Sequence, residues 1–241
     1  MSETTHEAFE QEKALSGLLD TTCDENGHIT GSHGATWKTF FANSGAEANE
    51  GAIKGPVAGA RRASEGQDRP YAVMLECVQG EGGVWPATSA YLKAVEAAGH
   101  ERGMLLIVDE VQTGFFRNGA PFCFQLAGIE PDIVNMAKGI ADGFPMGAVA
   151  AKAEVADLMR PDDHGSTFGG NPLAAACARA TVETLVSEGI GEHVISVGAH
   201  LRAALEALPH VVEIRGHGLM LGAQRRRDVP YGRSPARFLR P

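Results

Sequence analysis

Cysteine is scarce in this chain of 241 residues: four are present, scattered as Cys23, Cys77, Cys123 and Cys177 with no C-x-x-C pair. A disulfide framework and a thiolate zinc site are therefore not expected, and free thiols of a cytoplasmic protein are. The nine histidines show no ligand spacing and no H-E-x-x-H occurs, so no metal centre is expected. G-x-S-x-G, the nucleophile elbow of serine hydrolases, is also missing. No apolar run approaches the roughly 20 residues of a membrane-spanning helix, and the opening M-S-E-T-T-H-E is acidic and polar, unlike a secretory signal. Net charge is −9, and since the end from Arg225 carries +5 the body carries −14, which makes it a poor partner for a phosphate backbone. Neither a nucleic-acid nor a membrane partner is expected. The exception is the end: from Arg225 onward six arginines accompany one aspartate and three prolines, which reads as a basic, disordered tail.

What is present is ordinary for a globular protein, with 44% apolar and 21% charged residues. The length suits one large domain with a small appendage. Runs at 38–42, 71–76, 104–110, 132–137 and 147–151 are mainly apolar, as buried strands are, and they alternate with helical patterns. Ser44 with Glu47 three residues on is a capping box, so a helix starts there and runs through Ile53. Residues 55–69 read as an irregular connection, 24–37 as a loop and 7–19 as a weak helix. Later helices are expected at 89–100, 155–159, 172–187 and 190–208, and a strand with a glycine turn at 211–223. The expected organisation is an irregular segment over 1–39, a large domain over 40–190, the start of a smaller domain over 191–224, and the tail from 225. The class is α/β with a mostly parallel sheet, whose strand C-ends share one ligand-binding edge.

Three pieces of chemistry follow strand ends. Lys138 closes the apolar run ending N-M-A-K-G, 29 positions after Asp109 of L-L-I-V-D-E-V-Q-T-G. A lysine amine that can condense with an aldehyde, and an acid that can hold a pyridine nitrogen protonated, are what pyridoxal 5'-phosphate (PLP) requires. Taken alone, the lysine could equally snorkel to solvent, and the acid could cap the next helix. Ser44-Gly45-Ala46 opens a helix and suits an anion. Val111 shares the side of Asp109 and could pack on a ring; Gln112 could donate to a phenolic oxygen, and Glu110 lies beside them. Glu76 and Glu81 flank a glycine loop, where one acid could gate a substrate ammonium. Ser166 and Thr167 sit in a hydroxyl-rich loop ahead of Asn171 and Pro172, themselves a helix cap and first residue.

The segments F-F-A-N-S-G-A-E-A-N-E, V-M-L-E-C-V-Q-G-E-G-G-V, L-L-I-V-D-E-V-Q-T-G, P-D-I-V-N-M-A-K-G-I-A-D-G-F-P-M-G-A and H-G-S-T-F-G-G-N-P-L-A, in this order, closely resemble the class III PLP-dependent aminotransferases, acetylornithine-type members most of all. The resemblance implies a fold-type-I transferase domain with PLP as cofactor. It implies a terminal amine such as that of N-acetylornithine as donor and 2-oxoglutarate, a 2-oxo acid, as acceptor, as in arginine biosynthesis. Ornithine, succinyl-diaminopimelate or another ω-amine are alternative donors. It implies Gly45 and Ala46 at the cofactor phosphate, Asp109 at the ring nitrogen, Gln112 at the phenolic oxygen, Lys138 as the cofactor-bearing lysine, Ser166 at the substrate, and Thr167 reaching the partner's cofactor in a homodimer. Between residues 53 and 71 the family carries several dozen further residues, with an aromatic that stacks on the cofactor and a G-R-T arginine that binds substrate carboxylate. Cys77 stands where the family has proline. A catalytically inactive remnant that still binds PLP is the competing reading.

Overall fold

The computed structural model describes residues 3–24, 26–65 and 67–226; the arginine-rich end from Arg227, expected as a disordered tail, lies outside them. Five strands form the central sheet: β1 (Trp37–Ala42), β2 (Ala72–Leu75), β3 (Leu105–Asp109), β4 (Ile133–Met136) and β5 (Gly147–Lys152). Their order is β1-β5-β4-β3-β2. Pairings β4–β3 and β3–β2 are parallel, while β5 runs against both its neighbours. Four strands thus point one way, and the C-ends of β1, β3 and β4 meet the start of β5 along a single edge.

Alternation along each strand divides the core between two faces. Leu106, Val108, Val134, Met136, Ala148 and Ala150 belong to the larger cluster. Ile107, Ile133, Val149 and Ala151 belong to the smaller one, with Ala52. The first face is covered by α1 (Glu3–Leu19), α3 (Ser89–His100) and α4 (Pro172–Ser187). The second lies under α2 (Gly45–Ala52). Helix α5 (Ile190–Glu206) leads into a hairpin of β6 (Val211–His217) and β7 (Met220–Arg225).

The cap signals locate the helices well. Asn171 accepts from the Ala174 N–H at 2.9 Å and Pro172 is the first residue of α4. Thr88 caps α3 through the Tyr91 N–H at 3.2 Å. Three expectations need correction. Residues 55–63 are not an irregular connection: α2 passes through a π-turn at Ile53–Val57, which absorbs Pro56, and continues as Ala58–Ala63. Gly59 is required there, because a β-carbon would lie 2.5 Å from the Leu158 carbonyl oxygen. Second, the supposed loop at 24–37 contains Ile29–Ser32, paired with Thr21–Cys23. Third, α1 is longer than its weak periodicity suggested, and it buries Leu15, Leu18 and Leu19 in the larger cluster. A short helix at Cys123–Ala127 had no reading in the sequence.

Candidate active site

The shared strand edge opens into a cleft of about 620 Å³, lined by Ser44, Gly45, Ala46 and Asn49 of the α2 start and by Val111, Ala137 and Lys138 from the strand ends. Ser44 is the N-cap of α2, its hydroxyl accepting from the Glu47 N–H at 3.2 Å. Glu47 returns a carboxylate bond to the Asn43 N–H, one residue before the cap. The Gly45 and Ala46 N–H groups begin the helix without intrahelical acceptors. They face the cleft with the positive end of the helix dipole. Gly45 packs on Val111: a β-carbon there would approach the Val111 methyls at 3.0 and 3.1 Å.

Lys138 follows β4 with φ of +45°, in the left-handed region. Such a conformation costs about 1 kcal/mol or more for a residue with a β-carbon. The buried Ile140 and Ala141, next along the 3-10 turn Lys138–Ala141, hold it. The lysine is exposed and lines the cleft.

Asp109 and Asn135 are paired neighbours at the ends of β3 and β4, on the α2 face. Asp109 Oδ1 accepts from the Val111 N–H at 2.9 Å, and Oδ2 accepts from Asn49 Nδ2 at 3.1 Å. The acid borders the adjoining hollow of about 760 Å³, together with Glu76, Gln79, Trp85 and Tyr91. Asn49 and Val111, its two partners, line the lysine cleft. Asn49 was missed from sequence; an asparagine inside a helix carries no local signal.

The other expected residues divide. Gln112 donates to Glu81 Oε1 at 3.2 Å, joining the β3 exit to the glycine loop. Glu76 accepts from the Gly80 N–H at 3.1 Å. Glu110 does not face the cleft. It is fully buried on the opposite side, accepting from the Thr113 hydroxyl and from the Phe124 N–H at 2.8 Å. Strand alternation turns it away from Asp109, and burial pushes its carboxyl up to about 7. It fixes the Cys123–Ala127 helix and is structural. Nearby, a hydrogen bond with Cys77, then burial, raises the Cys123 thiol. All four cysteines are free. Ser166 bonds the Gly169 N–H at 2.9 Å within its own loop, and Thr167 is exposed outside the cleft. Among the described residues no cluster of His, Cys, Asp or Glu could hold a metal, and no helix is long and apolar enough to cross a membrane.

The family described as aminotransferase class-III matches residues 61–235. The chain belongs to the class-III aminotransferases. The cofactor of that family is PLP. Acetylornithine aminotransferase 1 of Bordetella parapertussis is 41% identical over 206 residues, covering 80% of this chain and 52% of that protein. Acetylornithine aminotransferase of Bacillus subtilis is 39% identical over 244 residues, covering 80% and 63%. The chain thus spans little more than half the length of the curated relatives it matches. N-acetylornithine aminotransferase from Stenotrophomonas maltophilia superposes with a TM-score of 0.77 at 32% identity, over 92% of this chain and 65% of that one. Ornithine aminotransferase of Toxoplasma gondii, solved with partial occupancy of PLP at its active site, gives 0.78 at 25% identity over 92% and 63%.

The cleft fits this cofactor by its donor set. Two helix N–H groups suit a phosphate, a lysine lines the same cleft, and a carboxylate is hydrogen-bonded to Asn49 and Val111 of that lining. Gly147 keeps the cap of α2 in shape, since a β-carbon there would lie 2.3 Å from the Ser44 carbonyl oxygen.

Proposed function

We propose that this chain binds PLP at the Lys138 cleft and belongs to an aminotransferase that takes the terminal amine of N-acetylornithine and passes it to 2-oxoglutarate. The observation that carries the reading is that Lys138 and the opening turn of α2 line one cleft. The relatives' names supply the donor. A cytoplasmic homodimer, with an exposed Thr167 reaching its partner's site, belongs to the same proposal and rests on the family.

PLP, when bound, supplies the electron sink that lets a proton leave the amine-bearing carbon. The residues of the chain divide the remaining work. Gly45 and Ala46 N–H groups hold the phosphate. The Asp109 carboxylate would hold a proton at the ring nitrogen, and the Val111 side chain would pack against the ring. Gln112 would offer its amide to the phenolic oxygen, and Glu81 would meet the substrate ammonium. The Lys138 amine would hold the cofactor, and its Nζ would move the substrate proton. Ser166 meets the acyl end of the donor.

A second reading, a chain that holds the cofactor without turnover, is favoured by one observation: among the described residues no arginine lines the cleft. Bidentate arginine–carboxylate contacts provide much of the orientation such a reaction needs. One experiment separates the two. The chain is purified with PLP, reduced with borohydride and mapped by mass. A pyridoxyl label on Lys138 together with amino transfer from acetylornithine supports the enzyme. Label without transfer supports the second reading, and no label overturns both.

A further inference from the structure

A row of side-chain amides behind the cleft has no role in the reading above. Asn135 is fully buried on β4. Its Nδ2 donates to Asn49 Oδ1 at 2.6 Å, and Asn49 Nδ2 donates to Asp109 Oδ2 at 3.1 Å. A side-chain amide has one accepting end and one donating end. Only the donating end of Asn49 can meet a carboxylate, so its oxygen must turn to β4, where only an N–H group can satisfy it. The charge on Asp109 thereby sets the direction of both amides. In return, the sheet and α2 fix the plane of the carboxylate, with the Val111 N–H on its other oxygen.

We propose that Asn49 is a positioning residue that orients the Asp109 carboxylate through this two-amide relay. Asn49 stands on α2, whose first turn is the phosphate site, so the relay ties the ring-nitrogen acid and the phosphate cradle to one rigid helix. The contact itself rests on geometry; its consequence for the cofactor rests on the PLP reading.

Asn49→Asp tests it in the full chain. The variant keeps its shape and the bond from Asn135, but it puts a like charge where Asp109 needs a donor. Loss of a hydrogen bond to a charged group predicts PLP affinity weakened about tenfold or more. The visible absorbance band of the bound cofactor should also shift in its pH profile. Both effects should vanish in an Asp109→Asn background. Unchanged affinity and spectrum in Asn49→Asp would overturn the proposal. A second measurement needs no cofactor: urea unfolding of Asn49→Ala, Asp109→Ala and the double variant. Coupling of about fivefold or more in the unfolding equilibrium is expected, and additivity overturns it. If the wild-type chain takes up no PLP, the proposed function fails while this cycle still decides the role of Asn49.

Discussion

A β-carbon on Gly147 would stand 2.3 Å from the carbonyl oxygen of Ser44. The first residue of β5 therefore touches the backbone that caps α2, and only glycine permits the approach. Gly147→Ala should displace the cap, cost about 1–3 kcal/mol, and weaken PLP binding more than the stability loss explains. Calorimetry beside a PLP titration checks this; an alanine variant with native affinity would contradict it.

The Ser44 hydroxyl is a lighter test of the same corner. Ser44→Ala removes the bond to the Glu47 N–H and should cost about 1 kcal/mol, read as a lower urea midpoint with an unchanged slope. A midpoint equal to that of wild type would deny the cap any energetic role.

Glu110 predicts a pH dependence. Its carboxyl is raised from 4.5 to about 7, chiefly by burial. The folded chain keeps a proton there that the unfolded chain has released, so this contribution is fully present below about pH 4.5 and is lost as pH climbs to about 7. Glu110→Gln lacks that slope. Relative to wild type, its stability should improve by roughly 3 kcal/mol between pH 5 and pH 8, measured by urea unfolding at both. A constant difference would mean that the carboxyl does not titrate in that range.

The sheet legible in the sequence was the apolar one: β3 and β4 are apolar but for Asp109 and Asn135 at their C-ends, and α4 is opened by Asn171 and Pro172. The helix over residues 58–63 was hidden because Pro56 and Gly55, which read as a break, are accommodated in a π-turn against Met159. At the cleft, Gly45, Ala46, Val111 and Lys138 converge because each follows or opens an element at one sheet edge. Glu110 was misread because proximity in sequence to Asp109 says nothing of the turn that sends it into the core. Asn49 and Asn135 were invisible, since their value arises only when a helix is laid across two strand ends.

Strand β2 leaves the sheet with an open edge, A-V-M-L, containing neither charge nor proline. Met74 is 39% exposed there, and it borders hollows shared with Ile53 and with Trp85. Natural edges are shielded against pairing with other molecules. Met74→Lys should raise the soluble, monodisperse fraction on a sizing column; equal elution of both proteins would show the edge to be harmless.

Arg215 lies 3.9 Å above the Trp85 ring and donates twice to the Gly83 carbonyl, at 3.1 and 3.3 Å. Its β6 neighbour Glu213 and the β7 residue Gln224 steady the guanidinium. The last hairpin is thus a tether on the stretch that presents Glu81, although well over a hundred positions of chain separate them. Slack in that tether, whether from fraying, a nick or a substitution of Arg215, would be felt first in the hollow beside Asp109, which Gln79 and Trp85 of that stretch line, before the sheet noticed it.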